Sequence, residues 1–103
     1  MNDEATLRAA LAAAAHEAVR EGLNRGASGN LSVRLDDGFL VTPSGLPGAT
    51  LQPAQMVFVG LDGEARGGRR PSSEWRIHLD IYVARPEVRA VVHAHSPHAV
   101  SLA

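Results

Sequence analysis

The chain has 103 residues with ten basic and eleven acidic side chains, a formal charge of −1; this allows one small domain and lacks the basic excess a nucleic-acid surface needs to displace counterions. No apolar run approaches the length of a membrane-spanning helix, and with no cysteine there is no disulfide framework, thiolate nucleophile or Cys-based zinc site. All ten basic residues are arginine, which excludes chemistry through a lysine Schiff base or a P-loop lysine within these residues.

Residues 3–21 read as a helix. Leu7, Ala10, Leu11, Ala14, Ala18 and Val19 fall at helical spacing, Asp3 and Glu4 suit the positive end, and Gly22 is a natural stop. The alanine-rich stretch inside it is broken by His16 and Glu17 and follows acidic residues, so it does not read as a signal peptide; a cytoplasmic location is the expectation. From Gly26 the period becomes two. Leu31, Val33 and Leu35 alternate with Ser32 and Arg34 as in a half-buried strand, Asp37-Gly38 signals a hairpin turn, and residues 39–42 return as its partner. A Gly- and Pro-rich loop covers residues 43–53, and residues 56–61 form a third strand closed by Asp62-Gly63.

The next element is a helix over residues 72–85, capped by Ser72 or Ser73 and ending before Pro86. Trp75, His78, Leu79 and Tyr82 share one side of it, with Trp75 and Tyr82 as core residues. Residues 88–95 read as a strand, and Ser96-Pro97 starts a last helix that is cut short at Ala103. The expected class is an α/β or α+β layered domain.

His93-Ala94-His95 is the sharpest chemical feature. On a strand both imidazoles project from one face, as zinc or a similar divalent ion requires, while Val88, Ala90, Val92 and Ala94 form an apolar face that packs inward. Two histidines bonded to neighbours would look the same, and a catalytic zinc needs a third ligand. His98 reads as a surface residue. Pro71-Ser72-Ser73-Glu74 at a helix start is either an anion site with two added hydroxyls or an ordinary N-cap with a first-turn acid. Glu74 has the chemistry of a general acid/base or an extra metal ligand, and His78, one turn on, reads as its structural partner. The loops Gly26-Ala27-Ser28-Gly29-Asn30 and Thr42-Pro43-Ser44-Gly45 could bring backbone N–H groups to a ligand or be plain turns.

The order of these pieces resembles the class II aldolase/adducin family. The matching blocks are Gly29-Asn30-Leu31-Ser32-Val33-Arg34, Thr42-Pro43-Ser44-Gly45, Pro71-Ser72-Ser73-Glu74-Trp75-Arg76-Ile77-His78 and Val91-Val92-His93-Ala94-His95-Ser96, and the nearest likeness is to the fuculose-phosphate aldolase branch. The resemblance implies a three-layer α/β/α fold around a mostly antiparallel sheet, usually a homotetramer. It implies His93 and His95 as ligands of zinc or another divalent cation and Glu74 as the acid/base, able to approach the metal when substrate is absent. Gly29, Asn30, Ser44, Gly45, Ser72 and Ser73 would line the phosphate pocket of a sugar-phosphate substrate, with no nucleic acid or membrane as partner.

The implied reaction is metal-dependent aldol cleavage of a phosphorylated ketose; a 4-epimerase, a dehydratase, an adducin-like interaction module and an inactive fragment are the alternatives. Ala27 stands where phosphate-binding relatives place a threonine, and Gly48 where many carry an aromatic residue. Family domains are also about twice this long, so residues 1–103 would be one truncated domain. The third metal histidine and an interface tyrosine would lie outside it, and the chain alone is not expected to turn over.

Overall fold

The first helix is set by its ends as much as by its apolar stripe. In a computed structural model, which describes residues 3–23 and 29–94, helix α1 spans Glu4–Arg20. The Asp3 side chain accepts from Thr6 N–H at 2.8 Å, satisfying one of the orphan donors of the first turn. At the other end Gly22, with φ +75, lets the chain reverse. Leu23 N–H then bonds Ala18 O at 2.9 Å and Gly22 N–H bonds Val19 O at 3.0 Å, a Schellman closure that needs the left-handed residue. The buried side is Leu7, Leu11, Ala12, Ala15 and Ala18, rotated from the expected stripe: Ala10 and Ala14 are exposed.

Among the described residues five strands form one antiparallel sheet in the order β4-β3-β2-β1-β5, with β1 Asn30–Leu35, β2 Gly38–Val41, β3 Val57–Gly60, β4 Ala65–Arg66 and β5 Ala90–His93. The hairpin expected at Asp37-Gly38 is present but shifted by one residue. Leu35 pairs with Gly38, so the turn is Asp36-Asp37, with Asp36 at φ +53. Gly38 serves a different need: a Cβ there would lie 2.3 Å from Val59 O on β3. Beyond β3 the Asp62-Gly63 turn returns the chain as β4, a short edge strand that the sequence pattern did not reveal; Phe58 pairs with Arg66 and Val59 with Ala65.

Helix α2, Trp75–Ala84, starts later than expected. Ser72 Oγ accepts from Glu74 N–H at 3.2 Å, so the serine closes the turn before the helix, and Glu74 itself is the N-cap residue. At the far end Arg34 gathers the carbonyls. Its Nε donates to Val88 O at 2.8 Å and its Nη2 to Tyr82 O at 3.0 Å and Arg85 O at 3.2 Å, a cation at the negative end of the helix dipole.

The two helices cover opposite faces of the sheet, giving the expected three layers. Leu31, Leu35 and Leu40 pack with Leu51 and Met56 against α1, and Phe39, Val41, Val57 and Val59 pack with Tyr82 of α2. Phe39, Leu40, Val41 and Val59 are fully buried, each worth about 1.5–3 kcal/mol. The loop after β2 includes two 3-10 turns, Gly48–Thr50 and Pro53–Gln55, pinned to α1. His16 Nε2 donates to Leu51 O at 2.7 Å, and Arg8 Nη1 donates to Met56 O at 2.8 Å and Pro53 O at 3.1 Å. Among the described residues no helix is long and apolar enough to cross a membrane.

This layering corrects two expectations. Strand β1 is covered on both faces: Ser32 is 2% exposed, because the face it shares with Asn30 and Arg34 meets α2 instead of water. Strand β5 is turned the other way from its apolar pattern. Val91 packs into the α2-side core and His93 is on that same face, whereas Ala90 and Val92 lie exposed beside a shallow apolar cleft shared with Ala10, Ala14 and Val33. The sheet sets this orientation by pairing Asn30 with His93 and Ser32 with Val91, which puts the histidine on the polar face of β1.

Candidate functional site

Two polar stripes meet between the sheet and α2. Asn30 and Ser32 sit two residues apart on β1, and Glu74, His78 and Tyr82 sit four residues apart along the start and body of α2. A strand period of two and a helix period near four each bring such residues onto one line, so the contacts form as a row. Asn30 Nδ2 donates to Glu74 Oε1 at 2.6 Å, and Asn30 Oδ1 accepts from His78 Nε2. His78 Nδ1 lies 2.5 Å from Ser32 Oγ, which lies 2.8 Å from the Tyr82 hydroxyl. From β5, His93 brings Nδ1 to 3.2 Å from Glu74 Oε1.

The electrostatics follow from burial. His78 is fully buried; desolvation, then the nearby His93, push its pKa down to about 4 against the opposing pull of Glu74. Burial likewise raises Tyr82 and keeps its hydroxyl protonated. Glu74 and His93 are each about one-third exposed, so this carboxylate and imidazole form the rim while His78, Ser32 and Tyr82 form the buried base. The expected Glu74–His78 partnership runs through Asn30, whose amide bridges the two.

A second pair of segments is stitched alongside. Pro43 and Pro71 form an isolated antiparallel bridge, Ser44 N–H donates to Arg70 O at 3.0 Å, and Ser72 N–H donates to Thr42 O at 2.9 Å. The loop carrying Ser44 and Gly45 therefore runs beside the one carrying Ser72 and Ser73. Ser44, Gly45 and Ser73 are exposed and Ser72 is buried; Gly45 has φ +76, a conformation glycine adopts without strain. An open cleft of about 670 Å³ beside them is lined by Ser44, Ala54, Gly68, Arg69 and Arg70. Gly29, with φ +80, leads directly into Asn30.

Of the residues picked out from sequence, the structure thus joins Glu74, Asn30 and His93 directly and ties Ser72 to Glu74 through its N–H. It sets Ser44 and Gly45 next to the Arg70–Ser72 segment. His95 lies outside the described residues, as do Ala27, Ser28, the Ser96-Pro97 helix start and His98. Among the described residues no three His, Cys, Asp or Glu side chains gather as a metal-binding group. Ser32 and the bridging role of Asn30 were missed from sequence; the signal that could have revealed them is the match between the 30/32 strand spacing and the 74/78/82 helix spacing.

Comparison with known proteins gives the family. The chain is 55% identical over 97 residues to a 5-methylthioribulose-1-phosphate/5-deoxyribulose-1-phosphate aldolase of Rhodospirillum rubrum, covering 94% of this chain and 44% of that protein. It is 45% identical over 86 residues to the L-fuculose phosphate aldolase of Escherichia coli, covering 84% of this chain and 40% of that protein. The chain therefore spans less than half the length of these curated relatives. Among solved structures, YgbL from Klebsiella pneumoniae superposes with a TM-score of 0.92 at 33% identity, over 99% of this chain and 50% of that one. The family described as Class II Aldolase and Adducin N-terminal domain matches residues 9–103, and with nearly its whole length inside that match the chain belongs to this family.

Proposed function

We propose that this chain is the part of a metal-dependent aldolase, a lyase, that grips the phosphate of a ketose phosphate and supplies the acid/base and one wall of the metal site. The observation that carries the reading is the position of Glu74: its Oε1 receives Asn30 Nδ2 at 2.6 Å and lies 3.2 Å from His93 Nδ1. A proton carrier is thereby fixed beside an imidazole suited to a metal. The donor chemistry fits a divalent cation, because imidazole nitrogen and carboxylate oxygen are zinc ligands. A carboxylate on one ring nitrogen also orients the other nitrogen as the ligand.

His93 and His95 would hold the ion, with Glu74 able to join them when substrate is absent. The ion would supply Lewis acidity toward the carbonyl and hydroxyl oxygens of the substrate. This chain's own side chains would do the rest. Ser44 and Gly45 on one stitched segment, Ser72 and Ser73 on the other, and Gly29 beside β1 would line the phosphate pocket, with Arg69 and Arg70 adding charge along the open cleft. Binding the remote phosphate holds the reacting carbons in place. When the bond between the carbon beside the carbonyl and its hydroxyl-bearing neighbour breaks, the electron pair stays on the carbon beside the carbonyl, and the neighbour becomes an aldehyde as its hydroxyl gives up a proton to water, so one proton is released for the one taken up. Glu74 would deliver the proton that the carbon beside the carbonyl takes up, and remove it in the condensation direction. The resemblance extends the reading to a homotetrameric, cytoplasmic enzyme.

The test is selective stabilisation of the purified chain in Zn²⁺ by a ketose 1-phosphate such as L-fuculose 1-phosphate, with unphosphorylated L-fuculose as the control. At a ligand concentration of about 100 Kd the phosphate ester should add about 2.7 kcal/mol, the free sugar far less, and Ser72→Ala/Ser73→Ala should erase the difference. Equal stabilisation by ester and free sugar would overturn the reading.

A further inference from the structure

Each group in the buried row can donate or accept in only certain ways, and together they allow one arrangement of protons. An ionised carboxylate only accepts, so Asn30 must turn Nδ2 toward Glu74, as it does at 2.6 Å. Its Oδ1 then faces His78 Nε2, and an amide oxygen only accepts, so Nε2 must carry the proton. A neutral imidazole has one N–H; Nδ1 is therefore the acceptor, and Ser32 Oγ, 2.5 Å away, must donate to it. Ser32 in turn accepts from the Tyr82 hydroxyl at 2.8 Å. Every hydrogen bond from Tyr82 to Glu74 thus points the same way, toward the carboxylate. Chains aligned in this manner polarise one another. Asn30 is 3% exposed and its amide is engaged at both ends, which makes it a member of this row.

We infer that His78, as the neutral Nε2–H tautomer backed by Ser32 and Tyr82, is a positioning residue that locks the Asn30 amide so that Asn30 holds the Glu74 carboxylate at His93. The inference rests on Glu74 being the acid/base of the proposed function, but the lock itself is a property of the folded chain. The depressed pKa of His78 keeps the ring neutral at physiological pH. Without the Nε2–H donor the Asn30 amide could rotate by half a turn and present its oxygen to the carboxylate, repelling it from the place where the proton must move.

The deciding experiment is NMR of the purified chain with ¹⁵N-labelled histidine at pH 7, in the absence of metal and sugar. His78 should show the nitrogen shifts of a pure Nε2–H tautomer; an Nδ1–H tautomer, a mixture of the two or a charged ring overturns the inference. The Asn30 side-chain amide gives a second readout. One of its protons should be shifted downfield and protected from exchange in wild type and in His78→Gln, whose amide can replace the donor, and should lose both properties in His78→Leu. An unchanged Asn30 signal in a folded His78→Leu chain overturns the inference, and a His78→Leu chain that does not fold leaves the wild-type tautomer to decide. In a chain extended to the length of its relatives and active as wild type, Glu74→Gln with undiminished turnover would remove the acid/base reading and leave the tautomer result standing. An Nδ1–H tautomer alongside loss of that turnover in the extended Glu74→Gln chain would do the reverse.

Discussion

Acid should destabilise this protein in large part through one buried ring. His78 is fully buried and titrates at about 4, whereas an unfolded histidine titrates near 6.5. Between these values the unfolded chain binds a proton that the folded chain refuses, so stability is full above about 6.5 and falls as pH drops toward 4. At about 1.36 kcal/mol per unit the whole difference is about 3 kcal/mol, of which about 2 is lost between pH 7 and 5. With a urea slope of about 1–3 kcal/mol per molar, that loss moves the midpoint down by about 0.7–2 M. The assay is urea unfolding followed by circular dichroism at pH 7, 6 and 5, for wild type and His78→Gln. Carboxylate titrations are common to both chains and cancel in the difference. Wild type should lose about 2 kcal/mol more than the variant over this range. Parallel stability profiles for the two would refute the argument that burial keeps this ring neutral.

Other outcomes follow from single contacts. In a chain extended to the length of its relatives, on any ketose 1-phosphate that it turns over, Glu74→Gln should lower kcat by about 10²–10⁴-fold, far more than it lowers bound metal by elemental analysis; an unaltered kcat would remove Glu74 from the proton step. Gly38→Ala should cost about 2–3 kcal/mol in urea unfolding, because the added Cβ meets Val59 O at 2.3 Å and that carbonyl belongs to a strand that cannot withdraw without breaking its pairing with β2. Arg34→Met keeps the aliphatic stem but removes three bonds to Tyr82, Arg85 and Val88 carbonyls, and should cost about 2 kcal/mol; a loss below 0.5 kcal/mol, about the size of ordinary surface substitutions, would mean that water replaces the guanidinium at no cost.

Much of the scaffold was legible because it is locally encoded. The caps of α1 are written in Asp3 and Gly22, and the strand alternation of residues 31–35 and the helical run after Glu74 carry their own periods. The fuller motif blocks also carried the family. The hairpin was read one residue late because Asp37-Gly38 has the composition of a turn. Here Gly38 is required by the nearness of Val59 O on a different strand, a demand no local pattern records. Strand β4 was missed for a related reason: two exposed residues, Ala65 and Arg66, show no periodicity and become a strand only through pairing with Val59 and Phe58.

The candidate site divides in the same way. Sequence by itself determined which chemistry is present: a carboxylate at a helix start, a histidine on a strand, serines and glycines in two loops, and neither lysine nor cysteine to compete with them. Tertiary structure alone decided which of these groups meet. The register that sets Asn30 opposite His93, and the packing of α2 over that face, turned a strand expected to present polar residues to water into the floor of a buried row. Side chains such as Asn30 and Ser32 carry no local mark of burial. Their partners lie on elements distant in the chain, and only long-range pairing can bring donor and acceptor within reach and exclude the water that would otherwise satisfy both.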